Sequence, residues 1–268
     1  MDNAQLEQLV DQVLSGSKYK HITPDLIHRL SQKALAEGLR GKTAVKSIRN
    51  KLHQVGGAYF KQAVNYSAAI QELQQLSPQI DATEIRDYAF RVMQRHTSSA
   101  ERLPDIETFF QTCLAPIAPV TSINDLACGL NPLALPWMPV TDRVQYYACD
   151  IYLDMLELVE AFLMHCNVNH RVIPCDLITE LPNVDTQVAF LLKSLPCLEQ
   201  MDKLAAERLL TGILAEHILV SFPVHSLAGR KKGMPSFYKA HFQKLISGKP
   251  WTVQTFEFQT ELAFLVSK

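Results

Sequence analysis

Two acidic residues and a glycine lie at the spacing of a pocket that binds a nucleotide cofactor. The segment 125–132 is typical of a buried strand that ends in a turn at Gly129, and Asp150 closes the next predicted strand. A glycine lets the backbone approach a ligand closely, and an acidic residue after the following strand can accept hydrogen bonds from ribose hydroxyls. The sequence therefore predicts a nucleotide-containing cofactor across these two strand ends.

The glycine pattern of a dinucleotide site is incomplete in this segment. Ala127 and Asn131 stand where further glycines would be expected, and the sequence offers no helix N-terminus to a pyrophosphate. A cofactor without phosphate groups therefore fits better than NAD.

The elements that position these residues alternate between short apolar runs and helical patterns. The predicted strands are 123–127, 144–149, 170–174, 188–192 and 217–222, with helices near 152–165, 198–214 and 235–247. The segments 251–258 and 261–266 are too close together for a crossover helix, so they predict an antiparallel hairpin. A mostly parallel sheet completed by a hairpin predicts an α/β, Rossmann-like methyltransferase domain.

The first hundred residues are predicted to be helical. Thr23, with proline and aspartate after it, indicates a helix start with a capping hydroxyl, and a second helix is expected from Thr43 to the glycines at 56–57. The segment 81–84 resembles a capping box that begins a third helix. We therefore predict an all-α domain over residues 1–104 and a cofactor-binding domain over residues 105–268.

The basic residues are concentrated in the predicted helical domain. Residues 18–61 contain ten Lys and Arg but only two Asp and Glu, although the net charge of the chain is −1. This imbalance favours a polyanionic partner such as RNA over the alternative of an ordinary solvated helix face. The candidate RNA contacts are Lys18, Lys20, Lys42, Lys46 and Arg49, together with Arg230, Lys231 and Lys232 in a loop flanked by glycines. The alternative interpretation of this loop is an exposed turn without a role in binding.

The composition argues against a membrane-spanning protein and against a zinc-binding protein. The chain begins with a polar, acidic segment, and none of its apolar runs approaches the roughly 18 residues that cross a bilayer, so a cytoplasmic protein is expected. The six cysteines are scattered, without the spacing of zinc ligands. We therefore expect buried thiols and no metal site.

Several segments together resemble the aminoglycoside-resistance 16S ribosomal RNA guanine-N7 methyltransferases. They are DLACGLNPLA at 125–134, LKSLPCLE at 192–199, VSFPVHSLAGRKKGM at 220–234, HTSSAER at 96–102 and GAY at 57–59. Their order and separation match the family over most of the chain. Four residues differ from the family pattern: Asn124, Thr97, Ala100 and Ala228. These differences affect the expected geometry of the loops more than the expected type of reaction.

The resemblance implies that both domains bind S-adenosylmethionine. Asp150 would bind the ribose, Asp176 and Leu177 would meet the adenine, and Leu192 would pack on its ring. Arg102 would pair with the methionine carboxylate as a bidentate fork. The residues that the resemblance assigns to the cofactor are Tyr59, His96, Thr97, Ser98, Arg102, Asp125, Ala127, Gly129, Asp150, Asp176, Leu177 and Leu192. Arg102 as a helix cap and Leu192 as a core residue are the structural alternatives.

The reaction that the resemblance implies is methylation of N7 of the decoding-site guanine, position 1405, in the 30S subunit. A methyl group there would confer aminoglycoside resistance, and N7 already carries a lone pair, so no catalytic base is required. Methylation of a decoding-site adenine at N1, a small-molecule methyltransferase and a noncatalytic RNA-binding module remain alternatives. The pair Pro196–Cys197 also matches the nucleophile of cytosine C5 methyltransferases, although the residues around it fit the resistance family better.

Overall fold

The computed structural model describes residues 3–16, 18–53, 64–78, 83–224 and 234–268. The helices within these ranges are α1 (Asn3–Leu14), α2 (Pro24–Ala36), α3 (Gly41–Leu52), α4 (Tyr66–Leu73), α5 (Thr83–Met93), α6 (Thr97–Arg102), α7 (Ile106–Leu114), α8 (Leu153–His165), α9 (Leu195–Met201), α10 (Ala205–Gly212) and α11 (Met234–Ile246). The strands are β1 (Val120–Leu126), β2 (Val140–Asp150), β3 (Asn169–Pro174), β4 (Thr186–Leu192), β5 (Ala215–Pro223), β6 (Thr252–Glu257) and β7 (Glu261–Ser267).

The described strands form one sheet in the order β3-β2-β1-β4-β5-β7-β6. Among them, β7 alone runs in the opposite direction to the other six. The parallel strands therefore end at one edge, where Leu126 of β1 pairs with Cys149 of β2. The Rossmann-like sheet and its antiparallel C-terminal hairpin, predicted from the sequence, are confirmed.

Apolar side chains cover both faces of the sheet. On one face, α7 and α8 pack over the sheet, where Phe110 of α7, Tyr146 of β2 and Phe190 of β4 are all fully buried. On the other face, α9 to α11 enclose a second cluster that includes Phe222 and Phe242. Full burial of one such side chain stabilises the fold by about 1.5–3 kcal/mol, so these two layers hold the strand ends in fixed positions.

The cores divide the chain earlier than the predicted boundary after residue 104. Helices α1 to α3 bury their apolar residues in a cluster of their own, whereas α4, α5 and α7 share a core with the sheet. The apolar face of α7, with Phe109 and Phe110, packs in the same core as the sheet. The described residues therefore place the division of the cores between Leu52 and Tyr66. The domain boundary after residue 104 stays a prediction. We refer to α1–α3 as the N-terminal lobe.

The N-terminal lobe is attached to the sheet beside the end of β2. Ile22 forms a β-bridge with Tyr152, the Thr23 N–H donates to the Ile151 carbonyl at 2.8 Å, and the Leu153 N–H donates to the His21 carbonyl at 2.7 Å. Thr23 is the N-cap residue of α2, but the predicted capping hydroxyl is wrong, because its side chain forms no capping hydrogen bond.

The predicted helix at 198–214 is wrong, because the structure has two helices there. Asp202 separates α9 from α10: its side chain accepts the Leu204 N–H at 3.0 Å and Arg208 Nη1 at 2.7 Å. An aspartate that bonds the backbone two residues ahead favours a turn over a continuous helix. The helix expected from Thr43 begins slightly earlier, at Gly41.

None of the six cysteines, all within the described residues, forms a disulfide; five are buried and Cys197 is half-buried. Among the described residues, no group of three His, Cys, Asp or Glu side chains could hold a metal ion. Over the same ranges, every helix is too short or too polar to cross a bilayer.

Candidate active site

A solvent-open pocket lies at the carboxyl ends of β1, β2 and β4. Nine of the cofactor residues predicted from the sequence line it. They are His96, Ser98, Arg102, Ala127, Gly129, Asp150, Asp176, Leu177 and Leu192. Tyr59, the residue expected to close the pocket from the helical part, lies outside the described residues.

The turn after β1 brings the backbone close to the pocket. Ala127 and Gly129 both have left-handed backbone angles, with φ of 52° and 54°. The Gly129 N–H donates to Asp150 Oδ2 at 2.9 Å. A Cβ atom at position 129 would lie 3.2 Å from Cε1 of His96, so both the backbone angle and the close packing favour glycine.

The Asp150 carboxylate is fixed by backbone donors at the pocket wall. Oδ2 accepts the Gly129 N–H, and Oδ1 accepts the Ile151 N–H at 2.6 Å. Burial raises the pKa of Asp150 above its ordinary value, whereas the N–H groups of Gly129, Ile151 and Tyr152 oppose that shift. A carboxylate has about four acceptor sites and three N–H groups donate to Asp150, so it retains capacity to accept a ribose hydroxyl.

Asp176, Leu177 and Leu192 form the neighbouring wall. Asp176 Oδ1 accepts the Ile178 N–H at 3.1 Å, and its Oδ2 accepts Nε of Arg29 at 2.6 Å. Leu177 is buried and Leu192 is half-buried at the end of β4. One carboxylate beside two leucines is suited to a flat heterocycle with polar edges and apolar faces.

His96 lies at the opposite end of the pocket. Its Nδ1 is 3.1 Å from Ser98 Oγ and 3.3 Å from Ser99 Oγ. Burial, with the positive charge of Lys193, lowers the pKa of His96 to about 4, so the imidazole is neutral at pH 7. Thr97, which was predicted to line this end, is buried outside the pocket lining, and its hydroxyl has no hydrogen-bond partner among the described residues.

Arg102 lines the pocket, but its fork is engaged by the protein. Nε and Nη2 donate to the two carboxylate oxygens of Glu261 at 2.7 and 2.9 Å, and Nη1 donates to Asn131 Oδ1 at 2.7 Å. In this geometry Glu261 of β7 supplies the carboxylate that the Arg102 fork holds, and the contact of Arg102 with a methionine carboxylate stays a prediction. Arg102 also lies 4.7 Å above the ring of Phe109.

Lys193 completes a buried group of charges beside Arg102. Its Nζ lies 3.0 Å from Glu101 Oε2, 3.3 Å from Glu261 Oε1 and 3.1 Å from the Ser98 carbonyl. Burial disfavours the charged form of Glu261, but Arg102 and Lys193 outweigh it and lower the pKa of Glu261. Two cations and two carboxylates balance in charge at this end of the pocket.

Sequence reasoning missed Asn131, Lys193 and Glu261 as site residues. Arg102 and Glu261 are 159 positions apart, so no local pattern indicates their pairing. Asn131 and Lys193 do lie within the segments that carry the family resemblance, next to residues that were selected. Their place in those segments was the one available signal.

Asp125 is buried outside the pocket lining, where it bonds to Asn131, which follows the turn at Gly129. Its Oδ2 accepts Asn131 Nδ2 at 2.8 Å and the Tyr146 hydroxyl at 2.6 Å. Burial raises the pKa of Asp125 to about 7, against the effect of these two hydrogen bonds and of Arg102. Asp125 therefore holds Asn131, which does line the pocket, and the cofactor contact of Asp125 itself stays a prediction.

The candidate RNA contacts in the N-terminal lobe differ in exposure. Lys18, Lys20, Lys42 and Lys46 are exposed. Arg49 is half-buried: its Nη2 donates to the Gln12 carbonyl at 2.9 Å and its guanidinium lies 5.7 Å above the Tyr19 ring. Arg49 therefore connects α1 and α3, unlike the four lysines. Arg230, Lys231 and Lys232 lie outside the described residues.

The strand order, the antiparallel β7 and the carboxylates after β2 and β3 define an S-adenosylmethionine-dependent methyltransferase. The chain is similar in structure to the 16S rRNA methyltransferase RmtF in complex with S-adenosyl-L-homocysteine, with a TM-score of 0.81 and 28% identity; the match covers 100% of this chain and 99% of that one. The 16S rRNA methylase RmtB has the same fold, with a TM-score of 0.82 at 23% identity, and the match covers 98% of each chain.

The chain belongs to the ribosomal RNA methyltransferase (FmrO) family, whose model matches residues 15–265. A 16S rRNA (guanine(1405)-N(7))-methyltransferase of Micromonospora echinospora is 32% identical over 266 residues, covering 98% of this chain and 97% of the relative. A protein of the same name from Serratia marcescens is 26% identical and covers 96% of both chains. The family resemblance of the sequence segments is thereby confirmed.

Proposed function

We propose that this chain transfers a methyl group from S-adenosylmethionine to N7 of guanine 1405 of 16S rRNA within the assembled 30S subunit, in the cytoplasm. The supporting observation is that the Micromonospora echinospora relative named for this reaction is similar to the chain over 98% of its length. That similarity spans both the N-terminal lobe and the pocket. The product would protect the ribosome from aminoglycosides.

The polar groups of the pocket fit the cofactor. Asp150 is held by backbone N–H groups in a position where its remaining acceptor capacity faces the pocket, as the ribose hydroxyls of an adenosine require. Asp176 with Leu177 and Leu192 suits the adenine. At the other end, the charges of Arg102 and Lys193 are balanced by Glu261 and Glu101, so a cationic sulfonium meets no net positive charge.

Bound S-adenosylmethionine supplies an electrophilic methyl group, and guanine N7 supplies a lone pair, so no proton has to be removed before transfer. The chain itself contributes by holding the methyl donor and the guanine in the orientation that transfer requires. The rigid turn at Gly129 and the fixed carboxylates of Asp150 and Asp176 orient the cofactor, and neutral His96 adds no charge. Orientation and exclusion of water can supply a large part of such a barrier reduction.

The exposed lysines of the N-terminal lobe provide the contact with RNA. Four of these lysines form no ion pair with a carboxylate among the described residues: Lys18, Lys20, Lys42 and Lys46. Exposed cations of this kind bind phosphates without reading the base sequence. A guanine inside folded RNA has to leave its stack to reach the pocket, at a cost of a few kcal/mol that backbone contacts can offset.

The test is to map the modified nucleotide. Ribosomal RNA from cells that express the chain is treated with borohydride and aniline and then copied by reverse transcriptase, with an Asp150→Asn variant as the control. A stop at guanine 1405 that depends on the treatment and on Asp150 is expected. A stop at a nearby adenine without treatment would instead show N1 methylation, and no modification of 30S subunits would contradict the proposal.

The covalent alternative can be tested separately. Cys197 lies in the pocket lining and is half-buried in α9, so its position alone does not decide between a wall residue and a nucleophile. Because N7 transfer requires no thiolate, Cys197→Ala should retain substantial methylation of 30S subunits. Complete loss in a folded variant that still binds S-adenosylhomocysteine would favour covalent chemistry.

A further inference from the structure

The side chain of Arg29 connects the N-terminal lobe to the cofactor pocket. Arg29 lies on α2, and its Nε donates to Asp176 Oδ2 at 2.6 Å. The two residues are 147 positions apart, and their neighbours Leu30 and Leu177 belong to different cores. Asp176 lines the pocket, and its side chain is only 5% exposed. Arg29 was counted from the sequence only as part of the basic excess, with no role in the cofactor site.

The same face of α2 also contributes to the pocket directly. Leu26, one helical turn before Arg29, is in the pocket lining. Residues three positions apart lie on one side of a helix, so Leu26 and Arg29 approach the cofactor domain together. The attachment of Thr23 to Ile151 and of His21 to Leu153 places the start of α2 directly after Asp150. The lobe thus contacts the chain beside both carboxylates that are assigned to the adenosine.

The geometry of Arg29 does not suit a role in stability alone. Its Nη2 is buried and has no hydrogen-bond partner among the described residues. Burying an unsatisfied donor on a charged group destabilises a fold, and such exceptions concentrate at functional sites. Nε of Arg29 bonds only to Oδ2 of Asp176, and Oδ1 accepts the backbone N–H of Ile178. The carboxylate is therefore held at both oxygens.

We propose that Arg29 is a positioning residue that fixes Asp176 for the adenine end of the cofactor and couples cofactor binding to RNA binding by the N-terminal lobe. This inference rests on the proposed function. A ligand that orders Asp176 and the segment after Asp150 also orders α2, and therefore the lobe that carries Lys42 and Lys46. Coupling of this kind is reciprocal: the cofactor strengthens RNA binding by the factor by which RNA strengthens cofactor binding.

The test uses the full chain with S-adenosylhomocysteine and 30S subunits. Calorimetry gives the affinity for S-adenosylhomocysteine, and binding to 30S subunits is measured with and without that ligand. The variants are Arg29→Gln, Arg29→Lys and, as a matched control, Lys33→Gln, which removes the same charge from an exposed position on α2. Thermal unfolding verifies that each variant is folded.

For the unaltered chain, we expect S-adenosylhomocysteine to strengthen 30S binding by about fivefold or more. Arg29→Gln should weaken S-adenosylhomocysteine binding by about tenfold, since it removes a hydrogen bond between charged groups, and should bring the ratio of the two 30S affinities close to one. Arg29→Lys should restore part of both effects, and Lys33→Gln should change neither. In a double-mutant cycle, Asp176→Asn should add little to Arg29→Gln.

Two results would overturn the inference. One is equal 30S affinity of the unaltered chain with and without S-adenosylhomocysteine. The other is an Arg29→Gln variant that is folded and keeps both the ligand affinity and the ratio. Either result leaves the proposed function intact if the unaltered chain methylates 30S subunits. Failure of the unaltered chain to bind S-adenosylhomocysteine at all would instead contradict the proposed function.

Discussion

Gly129 combines two constraints at one residue. Its φ of 54° lies in the left-handed region, and a Cβ atom there would lie only 3.2 Å from the His96 ring. An alanine in that conformation costs about 1–2 kcal/mol before any collision is counted. The residue therefore determines both how closely the backbone approaches the cofactor and where the neutral imidazole lies.

Gly129→Ala should destabilise the chain by about 1–2 kcal/mol and weaken binding of S-adenosylhomocysteine by about tenfold or more, because the turn or His96 has to move. Urea unfolding and calorimetry measure the two effects. Ala127→Gly is the matched control: Ala127 has nearly the same backbone angle, so glycine there relieves strain and should leave stability unchanged or slightly higher. Wild-type affinity in Gly129→Ala would show that the close approach is not needed.

Asp125 predicts a pH dependence of stability. Its pKa in the folded chain is about 7, above the ordinary value of 3.8, because burial disfavours the charged carboxylate. The fold therefore prefers the protonated form, and the stability present at low pH is lost as the pH rises through about 7. Each unit of pKa difference corresponds to about 1.4 kcal/mol, so the effect is measurable by urea unfolding.

Asp125→Asn should remove this dependence. An amide oxygen can still accept hydrogen bonds from Asn131 and Tyr146, but the side chain no longer ionises. The difference in unfolding free energy between the variant and the unaltered chain should therefore favour the variant increasingly from pH 5 to pH 8, by about 1 kcal/mol or more. A difference that stays constant over that range would show that Asp125 does not titrate there.

At the scale of single elements, α3 presents its charges in two ways. Lys42 and Lys46 are exposed, whereas Arg49 is bonded to the Gln12 carbonyl of α1. The sequence grouped these three residues as RNA contacts, because lysine and arginine at helical spacing indicate a basic face. Only the packing of α3 against α1 distinguishes the solvent-facing cations from the one that connects helices.

Lys42→Glu and Lys46→Glu should each weaken binding to 30S subunits and lower the slope of log affinity against log salt by about one, with little effect on stability. Arg143→Glu is the control, because Arg143 is exposed near the start of β2, roughly 20 Å from the pocket end of that strand. Arg49→Glu should in addition lower the unfolding free energy. An unchanged salt slope in the two lysine variants would remove α3 from the RNA interface.

The elements themselves were predictable to different degrees. The strands from β1 to β5 and the β6–β7 hairpin follow from short apolar runs separated by turn residues, since a parallel sheet buried on both faces needs such runs. The break between α9 and α10 did not follow, because it depends on the side chain of Asp202 bonding to Leu204 and Arg208. A helical apolar pattern continues across such a turn and conceals it.

At the scale of the whole molecule, the N-terminal lobe and the part of the chain that contains the sheet meet at the pocket. Leu26 comes from the core of α1–α3, and the predicted wall residues come from the sheet and the helices packed with it. The division of the chain into two parts stays a prediction from the sequence, since periodicity indicates that a helix is amphipathic but not which surface it covers. Contacts such as Arg29 with Asp176 and Arg102 with Glu261 join distant segments and have no local signal.

The position of the pocket predicts how a ligand affects the entire chain. A ligand at 100 times its dissociation constant stabilises the folded state by about 2.7 kcal/mol, which corresponds to a rise of several degrees in the melting temperature. S-adenosylhomocysteine should produce this rise, and Asp150→Asn should lose most of it. Because Leu26 and the contacts of residues 21–23 link the lobe to the pocket, the ligand should also slow amide hydrogen exchange in α2.

Hydrogen exchange measured by mass spectrometry, with and without S-adenosylhomocysteine, distinguishes a joint response of the two cores from a local one. Joint stabilisation predicts protection of α2 as well as of the turn at Gly129, and Asp150→Asn provides the control in which both should disappear. Protection limited to the sheet and its helices would mean that the lobe responds independently of the cofactor. In that case the lysines of α3 would bind RNA without regard to whether a methyl donor is present.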